Sequence, residues 1–156
     1  MATLVAKNPR IVKSGTQPVK VYLPAAGSQT WKAGEFATVA SGLVTLVATT
    51  DVDIKYYLLE DQDSATSAGD LVACILISND MIFEGNVLTG TVSSANQGMQ
   101  YGISVASNVF TVKIADATNK AVQITEIAST YEPSRNVLAD TLALVRFKFI
   151  QAVLEA

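Results

Sequence analysis

Alternation of apolar and polar residues dominates the second half of the chain. Tyr101, Ile103 and Val105 alternate with Gly102 and Ser104. Phe110, Val112 and Ile114 alternate with Thr111 and Lys113, and Val122 and Ile124 with Gln123 and Thr125. A period of two sends successive side chains to opposite faces of a strand. Ala106-Ser107-Asn108 and Asp116-Ala117-Thr118-Asn119 separate these runs, which predicts a meander. Near the end, Val145, Phe147 and Phe149 share one face and Arg146 and Lys148 the other, the pattern of a closing strand.

The first half carries shorter signals of the same kind. Residues 19–23 alternate and stop at Pro24-Ala25-Ala26-Gly27. Residues 29–31 and 36–39 read as short strands around the Ala33-Gly34 turn, followed by a β-branched run at 43–48 and an apolar and aromatic run at 54–59. Residues 60–70 are polar and predict a surface loop. Leu71 to Ile77 is an apolar run flanked by Gly69 and Asn79, which predicts a strand covered on both faces with Cys74 inside. Met81-Ile82-Phe83 follows at once and either pairs back into the same sheet or faces a sister subunit. Residues 87–100 read as irregular with a weak strand at 88–93, residues 130–139 as a loop, and 139–144 as a helical turn or a strand. The fold class is therefore all-β, about nine or ten short strands in a barrel or sandwich. Residues 1–18, with Pro9, Gly15, Pro18 and spaced cations, read as an extended N-terminal arm, leaving 19–156 as the body.

Composition sharpens this picture. The chain has 156 residues, 49% hydrophobic and only 16% charged, with a net charge of −3. That suits one domain with a neutral, hydrogen-bonding surface, fitted to permanent association. The charge is unevenly spread: residues 1–34 hold Lys7, Arg10, Lys13, Lys20 and Lys32 and no acid. A basic arm on an acidic body predicts contact with an acidic neighbouring surface, unless the terminus is merely solvated. The acidic body argues against a nucleic-acid partner. No apolar stretch is long enough to span a membrane, and the single cysteine excludes an intrachain disulfide, which points to assembly in a cytoplasm.

Catalytic chemistry finds little support. There is no histidine, which removes Ser–His and Cys–His nucleophile systems and, with one cysteine, makes zinc implausible. No phosphate-binding or dinucleotide glycine motif occurs. Asp61-Gln62-Asp63 begins like a calcium loop but lacks its glycine and closing glutamate, so it reads as a solvated acidic loop or a calcium site of another kind. Trp31 reads as a core or interface anchor, or with Tyr22 as a sugar-stacking platform. No enzyme and no cofactor are expected.

The order of the turn segments carries more. Trp31-Lys32-Ala33-Gly34-Glu35-Phe36 is followed by Gly69-Asp70-Leu71-Val72, then Asp80-Met81-Ile82-Phe83-Glu84-Gly85-Asn86, then Gln97-Gly98-Met99-Gln100-Tyr101-Gly102-Ile103 and the closing Val145 to Phe149. Over residues 28–150 this order resembles the small capsid decoration (cement) proteins of tailed bacteriophages. That family's first turn reads K-A-G-[DE]-x-V, and this chain departs from it with Phe36-Ala37 after the turn. The resemblance implies a β-barrel or β-tulip body, often trimeric, on the outside of an expanded capsid, bridging neighbouring major capsid proteins. It also implies an arm that reaches across a capsid subunit. Leu4, Val5, Ile11 and Val12 would then be apolar anchors, Lys7, Arg10 and Lys13 charge partners, and Met81, Ile82 and Phe83 a subunit interface. The alternative expectation is a receptor- or glycan-binding β-module of a phage tail or fibre.

Overall fold

A computed structural model of the chain describes residues 7–15, 17–49, 51–88, 92–127 and 143–155. Among these residues the protein is all-β. In chain order its strands are β1 (Arg10–Lys13), β2 (Lys20–Pro24), β3 (Phe36–Ala40), β4 (Leu43–Leu46), β5 (Tyr56–Leu58) and β6 (Leu71–Leu76). There follow β7 (Ile82–Asn86), β8 (Gln100–Ala106), β9 (Val109–Lys113), β10 (Val122–Ile127) and β11 (Leu144–Phe149). A short helix that the sequence patterns did not predict, α1 (Gln151–Leu154), ends the described chain and buries Val153.

The strands form two antiparallel sheets, one of five strands in the order β2-β6-β5-β3-β4 and one of six in the order β1-β7-β11-β10-β8-β9. No closed barrel forms among the described residues. Each sheet curls instead, far enough for one parallel bridge to join strands that are not neighbours: Ala25 to Val44 in the first, Val87 to Val112 in the second. Hairpins β3–β4 and β8–β9 turn on Ser41-Gly42 and Ser107-Asn108, all four at positive φ (51°, 79°, 50° and 60°). That is the turn hand that matches strand twist.

The predicted meander is rearranged, because β10 returns to lie beside β8 rather than β9. The far edge of β9 is already taken. Asn8 Oδ1 accepts from the Phe110 N–H at 2.8 Å, and the Leu88 N–H donates to the Val112 carbonyl at 2.8 Å.

Two hydrophobic cores result. The smaller lies inside the five-stranded curl and contains Trp31, Ala37, Val44, Leu58, Val72 and Cys74. The larger draws on both sheets and takes Phe36, Phe83, Phe110, Phe147 and Phe149, with ring centroids from 4.5 to 6.2 Å apart. Neighbouring residues of β3 serve both: Phe36 enters the larger core and Ala37 the smaller. β6 is covered on both faces only through its middle. Cys74 is fully buried in the smaller core as expected, while Leu71 and Leu76 at its ends are 69% and 57% exposed.

The Met81–Phe83 expectation needs correction. Met81 and Phe83 are buried in the larger core of the same chain, so neither is available to a sister subunit. β7 is an interior strand between β1 and β11, with Phe83 on the inward face and Ile82 half-buried. The patch therefore pairs within its own chain, but into the six-stranded sheet rather than into the sheet that holds β6, so neither expectation holds as stated.

Candidate interaction surface: the N-terminal segment and its cradle

Residues 7–13 are built into the body. β1 adds to the six-stranded sheet beside β7, with Arg10 opposite Glu84 and Ile11 opposite Phe83, and a bulge before Lys13. The arm expectation is corrected over this stretch, because backbone pairing and buried contacts fix it. Pro9 is buried against Gly85, where a Cβ would come within 3.0 Å of the proline ring and 3.1 Å of Phe147. At Gly34, with φ +92°, a Cβ would come within 2.8 Å of Asn8 and 3.0 Å of the Pro9 carbonyl. The Tyr57 hydroxyl donates to that carbonyl at 2.9 Å. Burial lifts the Tyr57 phenol above its ordinary pKa, so it stays a donor.

Asn8 ties three segments together. Its side-chain amide donates to the carbonyls of Ala33 and Asn108 at 3.3 and 2.9 Å and accepts from Phe110 N–H. One residue thus links the turn before β3 to the β8–β9 hairpin, and so links the two sheets.

The outer face of the six-stranded sheet carries a row of alternating charge. Arg10 on β1 stands opposite Glu84 on β7, Glu84 opposite Arg146 on β11, and Arg146 opposite Glu126 on β10. Arg10 reaches Glu84 Oε1 from Nη2 at 2.9 Å and from Nε at 3.2 Å. The Glu84 side chain is only 6% exposed, so these charge-assisted bonds matter to it more than to the exposed arginine.

The charge asymmetry of the sequence is largely consumed within the chain. Lys32 pairs with Asp61 at 3.5 Å and with Asp63, and Lys20 with Glu60 at 3.5 Å. Asp61 also accepts from Ala33 N–H, and that bond first, then Lys32, holds its carboxyl below the ordinary range. The acidic loop is therefore a brace for the Lys32–Glu35 turn. Its backbone pairs back as well, with Trp31 and Gln62 exchanging bonds of 3.1 and 2.9 Å. Among the described residues no three of His, Cys, Asp and Glu converge as metal ligands would.

Of the predicted contact residues, Leu4 and Val5 lie outside the described residues. Lys7 and Lys13 are exposed, Ile11 and Val12 half-buried, and Ile11 packs on the larger core. The Lys7 N–H donates to Asn86 Oδ1 at 3.0 Å. Trp31 is buried, its indole N–H donating to the Glu60 carbonyl at 2.8 Å, while Tyr22 is 59% exposed. The two make no stacking platform. Sequence patterns missed Asn8, Pro9 and Tyr57. The available signal was the pair of glycines, Gly34 and Gly85, inside two of the segments that carry the family resemblance.

Comparison with family models, with curated proteins and with solved structures returned no match.

Proposed function

We propose that this is a decoration protein that binds the outside of an expanded tailed-phage capsid, bridges neighbouring major capsid subunits and stabilises the head. One observation carries the reading. The glycines of two motifs that resemble the family, Gly34 and Gly85, are the floor on which Asn8-Pro9 rests. The motifs and the N-terminal segment are then parts of one device that fixes the position of Asn8-Pro9 on the body. Leu4 and Val5 would supply apolar contacts to the major capsid protein, and Lys7 and Lys13 the charge complement. Binding that exists only on the assembled lattice shifts assembly toward it by mass action, and many copies add avidity.

Removing residues 1–6 tests this, because the seated segment from Lys7 onward is kept. The expected result is an unchanged melting temperature with loss of co-sedimentation with expanded capsids of the phage that encodes the protein. Unchanged capsid binding would sink the reading. So would a copy number in purified particles, measured by mass spectrometry, far below that of the major capsid protein.

A further inference from the structure

Among the described residues β1 and β2 are outer strands of the two sheets, and their outward edges differ in chemistry. β1 carries Arg10 and Lys13, is preceded by Lys7, and is broken by a bulge. Cations and bulges are the usual protection of an edge against pairing. β2 has no bulge, and its one cation, Lys20, is paired with Glu60 of its own chain. Its register with β6 runs without a break from Lys20 to Pro24. Of the seven large exposed apolar residues, Tyr22 lies on β2, Val19 directly before it, and Leu71 and Leu76 on β6 beside it.

The direction of the β2 main-chain groups follows from bonds already fixed. The Leu59 N–H donates to the Ala73 carbonyl, so Ala73 points its main chain toward β5. Its partner Tyr22 must then point its own N–H and C=O away from β6. The same holds two residues earlier at Lys20. At the other end the Ala25 N–H bonds inward to Asp70, while Ala26 bonds outward to Val44. The Ala25–Val44 bridge therefore closes the edge beyond Pro24. What stays open is Lys20 and Tyr22, whose outward groups have no partner among the described residues.

We infer that this open edge of β2 pairs antiparallel with β2 of a second copy, about a two-fold axis at Val21. The sequence is self-complementary in that register alone. Outward residues must meet outward residues, so Lys20 faces Tyr22 of the second copy, giving four main-chain hydrogen bonds across the axis. Val19 then faces Leu23, and Val21 faces itself. The Lys20 ammonium already sits 5.1 Å from the centroid of its own Tyr22 ring, and the pairing offers it a second ring. Glu60 neutralises Lys20, so two copies meet without net repulsion. Two β1 edges would bring Arg10 and Lys13 together instead. The contact is isologous and makes a dimer, in place of the trimer that the family resemblance implies. It is independent of the capsid reading.

Sedimentation velocity of the full chain over a concentration series tests this. The wild type should reach a dimer. Tyr22→Lys sets like charges opposite each other twice per dimer and should raise the dissociation constant about tenfold or more. Adding Lys20→Glu should restore the dimer, because opposite charges then face each other in that register. Circular dichroism checks the fold of each variant. For the unmodified protein, amide exchange at Lys20 and Tyr22 should slow as the dimer fills. A monomer at every concentration, a trimer, a dimer indifferent to Tyr22→Lys, or a double variant that stays dissociated would each overturn the proposal.

Discussion

The two cores are built on opposite principles. The larger is aromatic, with five phenylalanines in edge-on and stacked contact, and it draws side chains from both sheets. The smaller is mostly aliphatic, with Trp31 as its fully enclosed ring, Tyr56 packed against it and Cys74 fully buried within it, and it is enclosed by one curled sheet. Aromatic packing supplies large buried area and fixed geometry across a wide gap. Small side chains suit the inside of a tight curl. Phe36 is the hinge between the two plans: it leaves the sheet that encloses the smaller core and inserts among Phe83, Phe110 and Phe149 at 4.5 to 5.2 Å. The sheets are therefore fastened from β3, and Asn8 fastens them again from outside.

Phe36→Ala should be the most damaging change, at about 4 kcal/mol in urea unfolding. A loss under about 1 kcal/mol would show that the two cores stand independently and would break the comparison. Trp31→Phe should cost about 2 kcal/mol, since it opens a gap and leaves the Glu60 carbonyl without its donor. That loss should leave near-ultraviolet signals from Tyr57 and Tyr101 intact if the damage stays within the smaller core. Asn8→Ala should cost about 1–2 kcal/mol, because it deletes three hydrogen bonds between segments distant in sequence. It should also raise amide exchange at Phe110. Burial pushes the Cys74 thiol up to about 11, so alkylation of the folded protein at mildly alkaline pH should proceed no faster than unfolding.

The smallest effect concerns Glu35, which is buried in the turn before β3. Burial raises its carboxyl above the ordinary value, opposed by the Lys32 N–H that bonds to Oε2 at 2.7 Å. The folded state thus holds this proton more tightly than the unfolded chain does. Its contribution is most favourable below the unfolded carboxylate range and is lost as pH rises through the raised folded value. Glu35→Gln should therefore gain stability relative to wild type from acid toward neutral pH. A difference in melting temperature that does not change with pH would refute this.

Much of the strand inventory was legible because alternation is local. β8, β9, β10 and β11 lie where Tyr101, Phe110, Val122 and Phe147 set the period, and the Ser107-Asn108 turn is where its residues predict. Neighbour relations were not legible. Nothing local in β10 says that β9 is already occupied, because the occupant, Asn8, lies 102 residues before Phe110. Pro9 and the nearby cations suggested an unpaired arm, whereas Pro9 fills a slot and Arg10 serves a buried acid 74 residues away. Met81 and Phe83 were ambiguous because an apolar pair after a turn has the same pattern whether it faces a core or a partner.

The strand order also sets a timetable. Every strand of the five-stranded sheet lies within residues 20–76, so that sheet is complete once the first half of the chain has left the ribosome. The six-stranded sheet places β7 between β1 and β11, the first and last strands to be made. The N-terminal strand must therefore wait for β7, and the row of charges that it ends must wait for β11. Until then its cradle, its cations and three of the five core phenylalanines, Phe36, Phe83 and Phe110, lack their last partners, a period when premature association with other chains costs most.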